Sequence, residues 1–305
     1  MNQTILNYMD LFLGLVNQGK DIEIQSGVKM FLTHTKAERS IQTFNYYKKH
    51  LKVIIDYLKE RRITNFSEID THVIDNFVLY SRHRKKNKNI TINKRICALK
   101  TVTVYLTKIQ LLTKPLNCSK LKEKIKKIVI LSPEEITKVI KYSNDLPVKN
   151  QVMIELLIQT GIRRTELCKI RTKNIDLKKN CIYLSHTKTN SPRYIYFDDY
   201  LKRKIAAIMK SNSIFLFTSK GNRALSPSTL DSLFERMKKR LNIKTLSPHL
   251  LRHTFATYIL KNGGNLEAVR VLLGHASYQM TQRYLHLLQE ELKETSIKFN
   301  PMSSL

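Results

Sequence analysis

Three features of the 305-residue sequence predict a mostly α-helical protein in two domains, with a small β-hairpin in the second. Apolar residues recur every three or four positions along much of the chain, which gathers them on one face of a helix. Two short β-rich runs, residues 182–184 and 194–197, flank a polar turn containing Asn190, Ser191 and Pro192, the pattern of a hairpin. Between the halves, residues 113–127 (TKPLNCSKLKEKIKK) are rich in lysine and poor in apolar period, and Pro115 ends the helix before them.

Residues 1–25 are read as an N-terminal extension. Their opening, MNQTILNYMDLFLGLVNQGK, lacks a basic leader region and has only a short apolar run near Leu11 to Val16, so it fits neither a signal peptide nor a membrane span. Residues 26–112 are read as a helical domain. In SIQTFNYYKKHLKVIIDYLKE, Ile41, Phe44, Tyr47, Leu51, Ile54 and Leu58 form the apolar stripe, and Ser40 is the expected cap. A second helix is expected near THVIDNFVLYSRHR with Asp70 as cap. A third, TINKRICALKTVTVYLTKI, buries Ile92, Ile96, Leu99, Leu106 and Ile109. Residues 113–127 are the expected linker. Residues 128–290 form the second domain. There Ser-Pro-Glu-Glu opens a helix with Pro133 in its first turn, Gly161 interrupts an apolar helix, and the hairpin follows. Residues 291–305 are read as a tail.

Charge then narrows the partner. The chain carries 54 Lys and Arg against 24 Asp and Glu, a net charge of +30. So large an excess repels itself in a compact chain and suits a polyanionic partner. Nucleic acid is the leading candidate, because neutralising phosphates releases condensed counterions. The expected phosphate contacts are Lys48, Lys49 and Lys52 on one helix, Arg82, Arg84, Lys85 and Lys86 in the run RHRKKNKN, and Lys94, Arg95 and Lys100 on the next helix. Four dispersed cysteines with no CxxC pair point to a reduced, cytoplasmic protein without a zinc site or disulfide framework. No membrane partner is expected.

The polar set also limits the chemistry. There is no glycine-rich phosphate loop, no HExxH and no cluster of carboxylates, so metal-dependent nuclease chemistry is disfavoured and no cofactor is expected. Residues 247–287 instead collect His249, Arg252, His253, His275, Arg283 and Tyr284. Cations and a phenol suit metal-free attack on a phosphodiester. Such attack builds charge on the non-bridging oxygens, which fixed arginines meet best. A free tyrosine titrates near 10 and needs a base or a strongly positive setting to act as nucleophile.

The order of these groups resembles the tyrosine recombinase family, the phage-integrase and Xer-type site-specific recombinases. TGIRRTEL is similar to the first arginine box, SHTKTNSPRYIYF to the β-hairpin, SPHLLRHTFATYIL to the HxxR box and VRVLLGHASYQMTQRYLH to the last box. The hairpin turn lacks the glycine and second lysine often found there. The resemblance covers roughly residues 30 to 290. It implies that Arg163, Lys188, His249, Arg252, His275 and Tyr284 are catalytic. Tyr284 would attack the scissile phosphate to leave a 3′-phosphotyrosine and a free 5′-hydroxyl. Arg163 and Arg252 would brace the phosphate, with His275 adding a hydrogen bond. His249 would assist proton movement at the phenol, and Lys188 would protonate the leaving oxygen. Neither metal nor ATP is required. The resemblance further implies a two-domain DNA clamp on duplex DNA with an inverted-repeat core site, a homotetramer on two sites, a partner recombinase in some systems, and a C-terminal tail packing in trans, with LQEELKETSIKF as its helix. Two other readings remain at this point: a catalytically silent DNA-binding repressor on the same fold, and a type IB topoisomerase-like enzyme.

Overall fold

The computed structural model describes residues 22–123, 128–185, 192–282 and 284. The turn residues Asn190 and Ser191, Lys188, most of the N-terminal extension, and the C-terminal tail with its expected helix lie outside them. Contacts divide the chain at Ile125 and Lys126 into two compact units.

The N-terminal unit is a helical bundle of α1 (Ile24–Glu38), α2 (Ile41–Glu60), α3 (Thr71–His83) and α4 (Asn89–Lys108). Its starts are written locally. Ser40 Oγ accepts from Thr43 N at the head of α2, and Asp70 accepts from Val73 N at the head of α3, each satisfying a backbone donor that the first turn leaves open. Leu51, Ile54, Leu58, Phe77, Ile92, Ile96, Leu99 and Leu106 form the core. Ile41 departs from the expected stripe and is 58% exposed. It is the first residue of α2, and helical side chains lean towards the N-terminus, so it overhangs the helix end instead of a neighbour. The stretch read as linker lies partly on this unit: Leu116, Cys118 and Leu121 pack against its core, and the buried Asn93 side chain donates to Leu121 O and accepts from Leu121 N. Lys48, Lys49, Lys52, Arg82, Arg84, Lys85, Lys86 and Lys94 are exposed, whereas Arg95 and Lys100 are half-buried.

The C-terminal unit is also mostly helical. It comprises α5 (Pro133–Asn144), α6 (Val148–Thr160), a short α7 (Arg164–Leu167), β1 (Ile175–Asp176), β2 (Cys181–Leu184), β3 (Arg193–Tyr196), α8 (Asp199–Ile208), α9 (Pro227–Leu241), α10 (Pro248–Lys261), α11 (Leu266–Leu273) and α12 (Gln279–Gln282). Ser132 and Glu135 form a reciprocal capping box at α5, with Pro133 in the first turn. The expected hairpin pairs antiparallel with Ile182 opposite Ile195, and β1 adds a third strand that sequence periodicity missed because it is two residues long. Val152, Ile154, Leu157, Ile182, Phe217, Phe234 and Leu251 lie in the main core. A smaller cluster joins Ala256 and Leu260 of α10 to Val269 and Leu273 of α11 and to Tyr284. Among the described residues, no helix is long and apolar enough to cross a membrane.

Candidate active site

The end of α11 organises the site. The last carbonyls of a helix have no partner within it and carry the negative end of its dipole. Here three in succession each accept from a different arginine. Leu272 O accepts from Arg193 Nε at 2.8 Å, Leu273 O from Arg252 Nη2 at 2.7 Å, and Gly274 O from Arg163 Nη2 at 2.6 Å. Gly274 stops the helix with φ +61°, and a Cβ there would stand 2.7 Å from Arg193 Nη1. The position therefore needs glycine both for its backbone angle and for space.

Each arginine arrives on a different element. Arg163 precedes α7, just after Gly161 has ended α6 in the left-handed conformation at φ +58°. Arg252 sits one turn into α10, whose start is fixed by Ser247 Oγ accepting from Leu250 N. Its other arm donates to Gly161 O at 2.8 Å. Arg193 comes from β3 and ties the hairpin to the site. Glu166 of α7 is the counter-charge. Its carboxylate meets Arg163 Nη1 at 2.9 Å and Arg193 Nη2 at 2.7 Å, and also accepts from Arg163 N. Burial alone would raise the Glu166 pKa, but the hydrogen bonds and charge of Arg193, followed by Arg163, hold it below the usual carboxylate range. Burial, then the neighbouring charge of Arg163, pulls Arg252 down to about 9, so it stays protonated at neutral pH. Two guanidiniums thus lie close together, held by carbonyls and one carboxylate.

Tyr284 faces this pair from the small second cluster and is 1% exposed. Its hydroxyl lies 2.8 Å from His253 Nδ1. The His275 ring is parallel to the phenol, with centroids 6.4 Å apart, and its Nδ1 is 2.8 Å from Thr281 Oγ1. His249, exposed one turn before His253 on α10, meets the His253 ring edge-on at 4.3 Å between centroids. Arg163, His249, Arg252, His253, His275 and Tyr284 line one cleft of about 470 Å³.

Five of the six sequence-predicted catalytic residues therefore share one cleft. The sixth, Lys188, lies outside the described residues, between the ends of β2 and β3. Three residues that the sequence reading left without a role also belong to the arrangement: Glu166, Arg193 and His253. His253 carried a legible signal, since it stands four residues after His249 and such residues share a helix face. Glu166 and Arg193 are 27 residues apart and meet only through tertiary packing. Among the described residues there is no group of three His, Cys, Asp or Glu that could hold a metal ion.

Residues 129–291 match the model of the phage integrase family, and residues 28–110 match the N-terminal SAM-like domain of phage integrases. Tyrosine recombinase XerC of Anoxybacillus flavithermus is 28% identical over 295 residues, covering 90% of this chain and 97% of that protein. Among solved structures, a Tn1549 transposon integrase in complex with transposon right end DNA superimposes with a TM-score of 0.72 at 20% identity, covering 90% of this chain and all of that one. The XerH site-specific recombinase bound to a palindromic difH substrate gives 0.71 at 20% identity, over 95% and 88% of the respective chains. At such identities the structural likeness concerns the fold.

Proposed function

The chain belongs to the phage integrase family, and from that premise we propose that it is a tyrosine-type site-specific recombinase that breaks and rejoins duplex DNA through Tyr284. One observation carries this reading: two arginines, 89 positions apart in sequence, share a single cleft with a tyrosine and three histidines. A phosphate entering that cleft would find the two cations that its transition state requires. Tyr284 is the nucleophile and forms a 3′-phosphotyrosine. Arg163 and Arg252 hold the non-bridging oxygens, His275 adds a hydrogen bond, and His249 assists proton movement at the phenol. Lys188, which follows β2 in sequence, protonates the leaving 5′-oxygen. The covalent link conserves the phosphodiester bond energy, so rejoining needs no ATP.

The exposed lysines and arginines of the N-terminal unit hold the duplex by its phosphates. The substrate is an inverted-repeat core site, one protomer on each half, and four protomers join two sites. A silent repressor on the same fold needs the basic faces but not the converging arginines, histidines and phenol.

The test is covalent capture. A core site is first selected from random-sequence duplexes by binding to the full-length protein. It is then nicked just past the cleavage point, so that the short strand released by cleavage diffuses away. The unsubstituted protein is expected to form a denaturation-resistant adduct. Tyr284→Phe is expected to bind the same duplex and form none. An adduct with Tyr284→Phe, or none with either protein, refutes the reading.

A further inference from the structure

This inference rests on the recombinase reading above. A phenol keeps its proton near neutrality, because tyrosine titrates near 10. Attack on phosphorus therefore requires an acceptor within hydrogen-bond reach of the phenol oxygen. Among the described residues, His253 holds such a position, its Nδ1 lying 2.8 Å from Tyr284 Oη. We propose that His253 is a catalytic residue: it takes the Tyr284 proton during cleavage and returns it during rejoining.

The surrounding contacts support this assignment. Arg252 and His253 are consecutive on α10, and consecutive helical residues point about 100° apart. Arg252 turns to Gly161 O and Leu273 O, while its neighbour turns to the phenol. One helix therefore fixes both a phosphate-bracing cation and the acceptor for the nucleophile's proton. The phenol ring is buried, so bulk water has little access to it. His275 has its Nδ1 against Thr281. His249 stands next in line, edge-on to His253, with its own ring on the open side of the cleft.

The step balances without oxidant, reductant or metal. With Nδ1 accepting, the neutral His253 carries its proton on Nε2. In cleavage the Oη–H bond of Tyr284 breaks and the proton moves to Nδ1. An oxygen electron pair forms the Oη–P bond, the P–O5′ bond breaks, and the leaving oxygen takes a proton from Lys188. In rejoining the 5′-hydroxyl attacks and loses its proton to that lysine. The Oη–P bond breaks, and the phenol oxygen recovers its proton from His253.

Two reactions on the selected core site separate this role from a packing role. The first is cleavage of the nicked duplex, followed as single-turnover adduct formation. The second joins a 5′-hydroxyl strand to a strand ending in a 3′-p-nitrophenyl phosphate. p-Nitrophenolate leaves without a proton, so this joining needs the arginines but neither Tyr284 nor its base. His253→Ala is expected to slow cleavage by about 10²–10⁴-fold, the usual worth of general acid–base catalysis, while still joining the activated strand. His253→Asn, which keeps an acceptor that cannot take up the proton, is expected to be as slow in cleavage as His253→Ala. Cleavage by His253→Ala at the unsubstituted rate or faster, with Tyr284→Phe inactive, overturns the proposal and leaves the recombinase reading intact. So does loss of both reactions in His253→Ala, or full cleavage by His253→Asn. Adduct formation by Tyr284→Phe overturns the recombinase reading itself.

Discussion

Replacing Arg193 with methionine removes one partner of a buried ion pair and leaves the other in place. Both side chains are only 3% exposed, and the Arg193 guanidinium also holds Leu272 O through Nε. Breaking such a pair costs about 3–5 kcal/mol when the remaining charge is stranded. Glu166 is not wholly stranded, because Arg163 still meets it at 2.9 Å, so the cost belongs at the low end, about 3 kcal/mol. The C-terminal unit spans Lys126–Leu305, about 180 residues. For that size 1 kcal/mol shifts Tm by about 2–4 °C, so its transition should fall by roughly 6–12 °C. Calorimetry of the full chain reads it directly. The pH dependence adds a check. Glu166 is depressed in the folded state, so its stabilisation is present above the unfolded carboxylate value, about 4.3, and is lost as pH falls through the folded value. The gap between Arg193→Met and the unsubstituted protein should therefore narrow on acidification below that point. A gap below about 0.5 kcal/mol at neutral pH, the scale of an ordinary surface change, or one that widens in acid, refutes the reasoning.

Three other outcomes follow from the same structure. Gly274→Ala should destabilise the C-terminal unit by at least about 1–2 kcal/mol, the cost of a left-handed alanine, and more if Arg193 is displaced; denaturant titration measures it. Arg163→Ala should lower single-turnover cleavage by about 10²–10³, the loss expected for one donor to a developing oxyanion, with binding of the selected duplex retained in a gel-shift assay. Changing Lys48, Lys49 and Lys52 together to glutamine should weaken DNA binding and flatten the plot of log affinity against log salt by about 0.9 for each phosphate no longer neutralised. An unchanged salt slope would show that these lysines do not touch the backbone.

What the sequence disclosed and what it withheld divide along a physical line. The caps Ser40, Asp70 and Ser132 were legible because each works over three residues. The helices of the N-terminal unit were legible because burial follows a fixed period. Arg163, Arg252, His275 and Tyr284 stood out because each lies in a short box whose spacing resembles a known set. Glu166 and Arg193 did not. A glutamate on a short helix and an arginine on a strand look like ordinary surface residues until the chain folds them together. The same holds for the carbonyls of residues 272–274, since any residue supplies a carbonyl and only tertiary structure shows which side chain reaches it. Two-residue β1 offered no period to detect. Ile41 shows the reverse error, a correct period carried one residue past the end of the packed surface.

The row of three carbonyls at the end of α11 has a consequence for capture of a ligand. An arginine free in solvent samples many rotamers, and stilling it costs about 2 kcal/mol. Here that freedom is surrendered when the protein folds, since the guanidiniums of Arg163 and Arg252 are already anchored before any anion arrives. An incoming phosphate meets a socket already cut to shape, and it offsets the mutual repulsion of the two cations.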